Sequence, residues 1–488
     1  MRVAVLVALC SSAALLEAFH LTSLSSLANS DVWWHLQAGS WILQNHAFPH
    51  SGLFSQSASL PWIDTSWAYD VLLSLFYRLV GLRAIPVLAM LAKISLAVIT
   101  FLLARRVLGN FTCAVLLSAA AQYLLFDRQA LPVYFSILAF AVELLLLMEV
   151  RRSGKVTQLL WLPVMFIVWT NVDPGFVYGL LLLGLFLVSL LIEHWVRSAG
   201  IAWLEADASL PVALVGVVTA LSVLATFLTP YGYHTYTAVL ASFGGAADKY
   251  FPDLHSIGFR RPQDYMLLLL TMASFLALGR RRSRSVFHVA LLVGTVLLSF
   301  HRQRDAWLVV LASVAILADT ISGGRVQKES KLGQGGIGGR WIGAGAAAAT
   351  LIVVLIFVAA WLRIPEDNEL LQTVVAKTYP VAAADYISTN QLPRPLFNNY
   401  EWGGFLEWYL PTYPVAIDGR RNLYGDDDLV RYFKAIDAES TPAEYPALAD
   451  ARTLILPRHS LMGQALSNIA AFRVLYQDDV AVILTRTN

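Results

Sequence analysis

The sequence predicts an α-helical bundle that crosses a membrane many times and carries a small α/β domain outside it. Three observations predict this. Of the 488 residues, 57% are hydrophobic and only 14% charged, where a soluble domain holds nearer 25% charged residues. Apolar runs of span length, about 20 residues, recur from the N-terminus to residue 362. Beyond residue 363 the runs shorten to strand length and prolines and polar residues fill the gaps. The net charge of +2 gives no footing for nucleic acid. Cys10 and Cys113 both sit in apolar runs and read as buried thiols rather than a disulfide or a metal cluster. No Walker loop, dinucleotide glycine pattern or HExxH is present, which removes the usual support for ATP-driven transport and zincin chemistry.

Apolar spans read at 3–25, 84–104, 110–126, 132–150, 157–172, 175–193, 209–229, 263–279, 285–300, 305–322 and 341–362. The first could be read as a cleaved signal, but its apolar character resumes to Leu27, which favours an uncleaved helix. Residues 66–81 are apolar but short and carry Asp70 and Arg78. Basic residues favour the cytoplasmic side. If 66–81 lies along the outer interface, Arg105-Arg106, Arg151-Arg152, Arg197, Arg280-Arg281-Arg282 and Arg325/Lys328/Lys331 all fall inside, and the lysine- and arginine-free loop 26–65 falls outside. If it spans, every later cluster flips. The reading is therefore about eleven spans plus an interfacial helix, with the N-terminus cytoplasmic and the C-terminus outside. It divides the chain into a transmembrane domain, 1–362, and an extracytoplasmic α/β domain, 363–488. Within the first, 26–82 is an outer loop with juxtamembrane helices, and the glycine-rich stretch 323–340 is a flexible cytoplasmic linker.

Loop 26–65 opens on Asp31-Val-Trp-Trp-His35-Leu-Gln-Ala-Gly39. Trp33 and Trp34 suit a membrane–water interface, and an ionisable pair at that depth is costly unless it has a partner or a task. Asp31 and His35 are thus candidate catalytic residues. The competing reading makes Ser30 or Asp31 the N-cap of a helix over 32–44. His46 and His50 fit no metal-ligand spacing with His35. Further along the outer face come Asp127-Arg128 in a tight turn, then Asn171 and Asp173 beside Pro174-Gly175, which either cap the next helix or bind ligand hydroxyls. A long loop, 229–262, follows. Arg302 and Arg304 then face outward against the positive-inside trend, and arginine suits phosphate oxygens because its fork donates in pairs.

In the C-terminal part, 381–388 reads as a helix, 395–398 as a strand, and Trp402-Gly-Gly404 leads a helix to Tyr409. Residues 414–417 read as a strand ending in Asp418-Gly-Arg420-Arg421. Residues 453–456 read as a further strand, 461–469 as a helix, and 473–476 with 480–487 as a hairpin. Strands alternating with helices make a small α/β unit.

Asp31-x-Trp-Trp-His-Leu-x-x-Gly39 with Pro49, Phe54-Ser55 and Pro61-Trp62 resembles the first outer loop of the GT-C glycosyltransferase superfamily, which includes protein mannosyltransferases and oligosaccharyltransferases. Asn399-Tyr-Glu-Trp-Gly-Gly-Phe405 and Ile417-Asp-Gly-Arg420 resemble the C-terminal part of the same bacterial membrane proteins. The resemblance implies an enzyme that takes a sugar from a polyprenyl-phosphate donor and transfers it to a protein, lipid or polysaccharide acceptor on the extracytoplasmic face of the cell membrane. It gives Asp31 the usual catalytic position and Asp127 that of a second acid. Where the family often carries paired acids this chain has Asp127-Arg128, so the resemblance allows a divalent cation without specifying one. Arg128, Arg302 and Arg304 are the expected lipid-phosphate residues. Trp402 is similar to the acceptor-binding tryptophan of oligosaccharyltransferases, and Trp33, Trp34, Asn171, Asp173, Asp418 and Arg420 are expected to hold acceptor or structure. The alternatives are a transporter or flippase, or a non-catalytic binding protein, for a lipid-linked glycan; no internal repeat supports a transporter.

Overall fold

The computed structural model describes residues 25–105, 111–125, 131–199, 210–280, 285–322, 354–355, 358–359, 361–437, 439–441 and 444–487. The first expected span, the Asp127-Arg128 turn, the 323–340 linker and most of the last expected span lie outside these residues.

Among the described residues the first two α-helices are α1 (Asp31–Asn45) and α2 (Trp67–Val80), which pack chiefly on each other. Gly39 makes this packing close: a Cβ there would lie 1.9 Å from the Asp70 carbonyl oxygen. The helix expected over 66–81 therefore exists. It ends at Gly81, and the Leu82 N–H that follows donates to Asp367 at 2.9 Å. A bundle then follows: α3 (Ala84–Arg105), α4 (Phe111–Leu125), α5 (Leu131–Ser153), α6 (Leu162–Val172), α7 (Phe176–Ser198), α8 (Val212–Ala225), α9 (His234–Ala241), α10 (Pro262–Arg280), α11 (Val286–His301) and α12 (Ala306–Ser322). Helix α12 is buried among α3, α4, α10 and α11. Among the described residues, Trp67–Arg105, Pro132–Ser153 and Phe176–Ser198 are long and apolar enough to cross a membrane. Leucine, valine and phenylalanine side chains stand exposed along α7, α8, α10 and α11, as expected of helices that face an apolar solvent.

The C-terminal part holds α13 (Asp367–Thr373), α14 (Val381–Thr389), β1 (Leu396–Asn398), α15 (Gly403–Tyr409), α16 (Arg421–Ile436), α17 (Pro446–Ala449), β2 (Thr453–Pro457), α18 (Leu461–Ser467), β3 (Phe472–Gln477) and β4 (Ala481–Arg486). The sheet order is β1-β2-β4-β3, with β1 parallel to β2 and the other pairs antiparallel. Strand β2 lies inside the sheet, and its Leu454, Ile455 and Leu456 are all buried, so its apolar residues run without alternation.

Two expectations fail here. Residues 414–417 add no strand to the sheet. The Asn398 side chain accepts from Ala416 N at 2.8 Å and donates to Ile417 O at 2.8 Å, and Val415 makes only an isolated bridge to Ser55. Helix α16 was not expected, because Gly425 and three successive aspartates interrupt its pattern. Gly425 takes φ 74° inside it, yet Leu423, Tyr424, Leu429, Tyr432 and Ala435 still share its buried face.

Two side chains from the N-terminal part reach into the C-terminal part. Trp62 packs in the cluster of Phe397, Tyr400, Leu423 and Tyr432. Trp33 is fully buried against Tyr379, Phe405 and Trp408, at ring separations of 5.6, 5.4 and 4.8 Å.

Candidate active site

The N-terminus of α1 sets the site. Its capping is done by Asn29, whose side chain accepts from Asp31 N at 2.9 Å, while Ser30 makes no side-chain cap. The Asp31 carboxylate is thus free of the capping role that its position suggested. Its Oδ1 accepts from Trp34 Nε1 at 3.2 Å, one helical turn on. The Trp34 ring in turn stacks on His35 at 3.6 Å. His35 Nδ1 and Asp70 Oδ1 share a hydrogen bond of 2.5 Å, which fixes the imidazole from behind.

Asp31, Trp34 and His35 open onto a cavity of about 340 Å³. The bundle supplies the far walls: Ser136 from α5, Asp173 from the turn into α7, Tyr178 from α7, and Arg302, Arg304 and Asp305 from the turn between α11 and α12. The loop before α10 adds Phe251 and Asp253, and the C-terminal part closes the cavity with Tyr400, Glu401, Gly419, Arg420 and Arg421. Seven residues singled out in the sequence, namely Asp31, Trp34, His35, Asp173, Arg302, Arg304 and Arg420, therefore line one space although they lie up to 389 positions apart.

Electrostatics divide these groups. Burial pushes the Asp31 carboxyl above its ordinary value, with Glu401 adding to the rise and His35, Trp34 and Arg304 opposing it. Burial lowers His35 to about 4, so the imidazole is neutral at pH 7. Burial also raises Asp173, against the hydrogen bonds it accepts from Ser136 Oγ and from Gly175 N at 2.8 Å. Arg304 sits in the field of Asp253, Asp173 and Asp305. Arg302 donates through Nη2 to Asp248 at 3.0 Å.

Other expected site residues turn out to be framework. Asn171 accepts from Trp67 Nε1 at 2.7 Å and donates to Ile167 O and Leu228 O, so its amide is spent joining three segments. Trp402 is buried and donates to Thr378 O at 3.1 Å. Trp33 fills the core described above rather than an interface. Asp418 lies behind the cavity wall, accepting from Arg420 Nε at 2.9 Å, from Arg420 Nη2 at 2.7 Å and from Tyr424. Arg420 lines the cavity but is fully engaged: it also pairs with Glu407 at 2.5 Å, donates to Leu53 O at 2.9 Å and lies over the Trp62 ring at 4.8 Å. Burial works to raise the Asp418 pKa, and Arg420 outweighs it, so that carboxyl falls below its usual range; Glu407 is pushed up by burial. Asp127 and Arg128 lie outside the described residues.

Sequence reasoning missed Glu401, Arg421 and Asp70. Glu401 stood beside the noted Trp402 and Arg421 beside Arg420, while Asp70 was visible as an acid in an apolar helix. Among the described residues no group of three or more histidines, cysteines or acids is arranged to hold a metal ion.

Among solved structures, the chain superposes on the archaeal oligosaccharyltransferase AglB from Archaeoglobus fulgidus, in complex with an inhibitory peptide and a dolichol-phosphate. The TM-score is 0.52 and the identity 12%, over 92% of this chain and 69% of that one. ArnT from Cupriavidus metallidurans, bound to undecaprenyl phosphate, aligns over 98% of this chain and 97% of its own at a TM-score of 0.48 and 14% identity. No protein-family model matches the sequence, and no curated protein matches it. The likeness to AglB, spanning the bundle and the C-terminal part alike, is one of fold.

Proposed function

We propose that the protein is a membrane glycosyltransferase that moves a sugar from a polyprenyl-phosphate donor to an acceptor on the extracytoplasmic face. One observation carries this reading: on a GT-C fold, a single cavity joins the carboxylate of Asp31 to the arginines 302 and 304. The dolichol-phosphate and the inhibitory peptide bound to AglB support a lipid-linked phosphate as the donor's carrier and an acceptor in the same space.

In this reading Asp31 is the general base. Trp34 occupies its Oδ1, leaving Oδ2 to take the proton of an acceptor hydroxyl as the acceptor oxygen bonds to the sugar carbon. The bond from that carbon to the phosphate oxygen breaks, and the lipid phosphate leaves with the electron pair. Arg304 and Arg302 meet the charge that grows on the phosphate, where preorganised donors act most strongly. Burial of Asp31 raises its proton affinity toward what a base needs at neutral pH. His35 orients the indole that holds Asp31 and is the alternative base.

The charge pattern supports a cytoplasmic N-terminus, about eleven spans and α2 along the outer interface. The change of composition at residue 363 supports a membrane domain to residue 362 and an outer domain from 363, in a cell membrane. No specific observation favours the transporter or binding-protein readings. The test is sugar transfer in membranes carrying the wild type or Asp31→Asn, with a panel of polyprenyl-phosphate sugars and endogenous acceptors. Transfer that requires Asp31 is expected. A folded, inserted wild type that transfers from no donor overturns the proposal.

A further inference from the structure

Two arginines 119 positions apart in sequence meet on one carboxylate at the cavity wall. Arg302 Nη2 donates to Asp248 Oδ2 at 3.0 Å, and Arg421 Nη2 donates to Asp248 Oδ1 at 2.8 Å. The segment that carries Asp248 also supplies a ring under each guanidinium. Arg302 lies over Phe243 at 5.3 Å and Arg421 over Phe251 at 4.3 Å. Both arginines and both rings line the cavity. A short stretch of loop thus brackets two forks and turns them toward the same space. One carboxylate against two guanidiniums leaves the group with one positive charge. Each fork has spent one terminal nitrogen on Asp248, and Arg421 Nε is buried without a partner. Planar forks with free N–H donors, held on aromatic faces, suit a tetrahedral oxyanion such as a phosphate.

We propose that Arg421, from the C-terminal part, completes the donor's phosphate subsite together with Arg302, with Phe243, Asp248 and Phe251 holding the two forks in register. This rests on the reading of the cavity as a lipid-phosphate site and adds to it that the membrane half alone does not bind the phosphate. Sequence reasoning assigned Arg302 to the donor and gave Arg421 no role.

The experiment measures binding of undecaprenyl phosphate to the purified full chain in detergent, with undecaprenol and inorganic phosphate as separate arms. Arg302→Met and Arg421→Met are each expected to weaken undecaprenyl phosphate binding roughly tenfold or more, the range of a lost charge-assisted hydrogen bond. Arg421→Lys, which keeps the charge and loses the fork, falls between them and the wild type. Arg431→Met, on the same helix but paired on the surface with Asp428, leaves binding unchanged and controls for folding of α16. Undecaprenol binding is indifferent to all four variants. If Arg421→Met, monodisperse and melting as the wild type does, binds as tightly as the wild type while Arg302→Met does not, Arg421 is outside the subsite and the inference is overturned with the donor reading intact. If inorganic phosphate binds as tightly as undecaprenyl phosphate, the lipid assignment is overturned. If the folded wild type does not bind undecaprenyl phosphate, the donor reading falls and takes this inference with it.

Discussion

Gly419 lies against the carboxylate of Asp31. A Cβ at position 419 would stand 2.3 Å from Asp31 Oδ1 and 3.0 Å from Trp34 Nε1. A residue of the C-terminal part therefore fixes the space in which the N-terminus of α1 holds its acid. The absence of a side chain is what lets the Asp31–Trp34 hydrogen bond form.

Gly419→Ala should push Asp31 out of this position. The expected cost in stability is about 1–3 kcal/mol, the usual range for overpacking, and transfer should fall at least tenfold because the base is displaced. Melting temperature and transfer rate, measured on the same preparations, check this. An alanine variant with wild-type rate would mean that the position of Asp31 does not matter to turnover.

The rate should depend on pH through Asp31. As a base it works only when ionised, and burial followed by Glu401 raises its pKa above the ordinary carboxylate value of 3.8. The rate should therefore fall on the acid side at a pH above that of a free aspartate. Glu401→Gln removes one of the raising charges, so its acid limb should move to lower pH. A pH–rate profile of the two proteins decides the sign, and a shift to higher pH would contradict the arrangement.

Stability should carry the signature of His35. Burial lowers its pKa from 6.5 to about 4, so the fold binds the neutral ring in preference to the charged one. That contribution is complete above pH 6.5 and is lost as the pH falls toward 4. It amounts to about 3 kcal/mol at most. Asp31 and Asp173, whose pKa burial raises, act in the opposite sense, losing stability as pH rises. The informative quantity is thus the difference in Tm between the wild type and His35→Gln across pH 4–7, which should shrink as the pH falls.

Arg420→Met should be severely destabilising. It strips the cation from buried Asp418, the partner from Glu407 and the donor from Leu53 O. Breaking a buried pair in this way costs about 3–5 kcal/mol. Limited proteolysis should then cut in the segment between α1 and α2 as well as after residue 400, because the arginine joins the two.

Much of this was legible in the sequence, and for physical reasons. The helices announce themselves because an apolar solvent demands long apolar runs. The C-terminal hairpin and β2 show their strand lengths. Asp31, His35, Arg302 and Arg304 stood out because charge beside a membrane span requires an explanation. What the sequence hid were relationships across long separations. Nothing local to Asn171 says that Trp67 and Leu228 consume its amide. Nothing local to Trp33 says that Phe405 and Trp408 bury it. Residues 414–417 have a strand's composition, but Asn398 satisfies their backbone from the side. Helix α16 was concealed by Gly425, and with it went Arg421, which reads as one more charge in a polar stretch until Asp248 is seen between it and Arg302.

The cavity's walls run in sequence from Asn29 to Asn422. A ribosome must therefore have made more than four-fifths of the protein before the pocket can exist. The earlier helices can pack while Asp31 and the bundle arginines still lack the C-terminal wall of the cavity. On the proposed function, competence for transfer therefore arrives late in synthesis, and a stalled or truncated chain, however well packed, would be inactive.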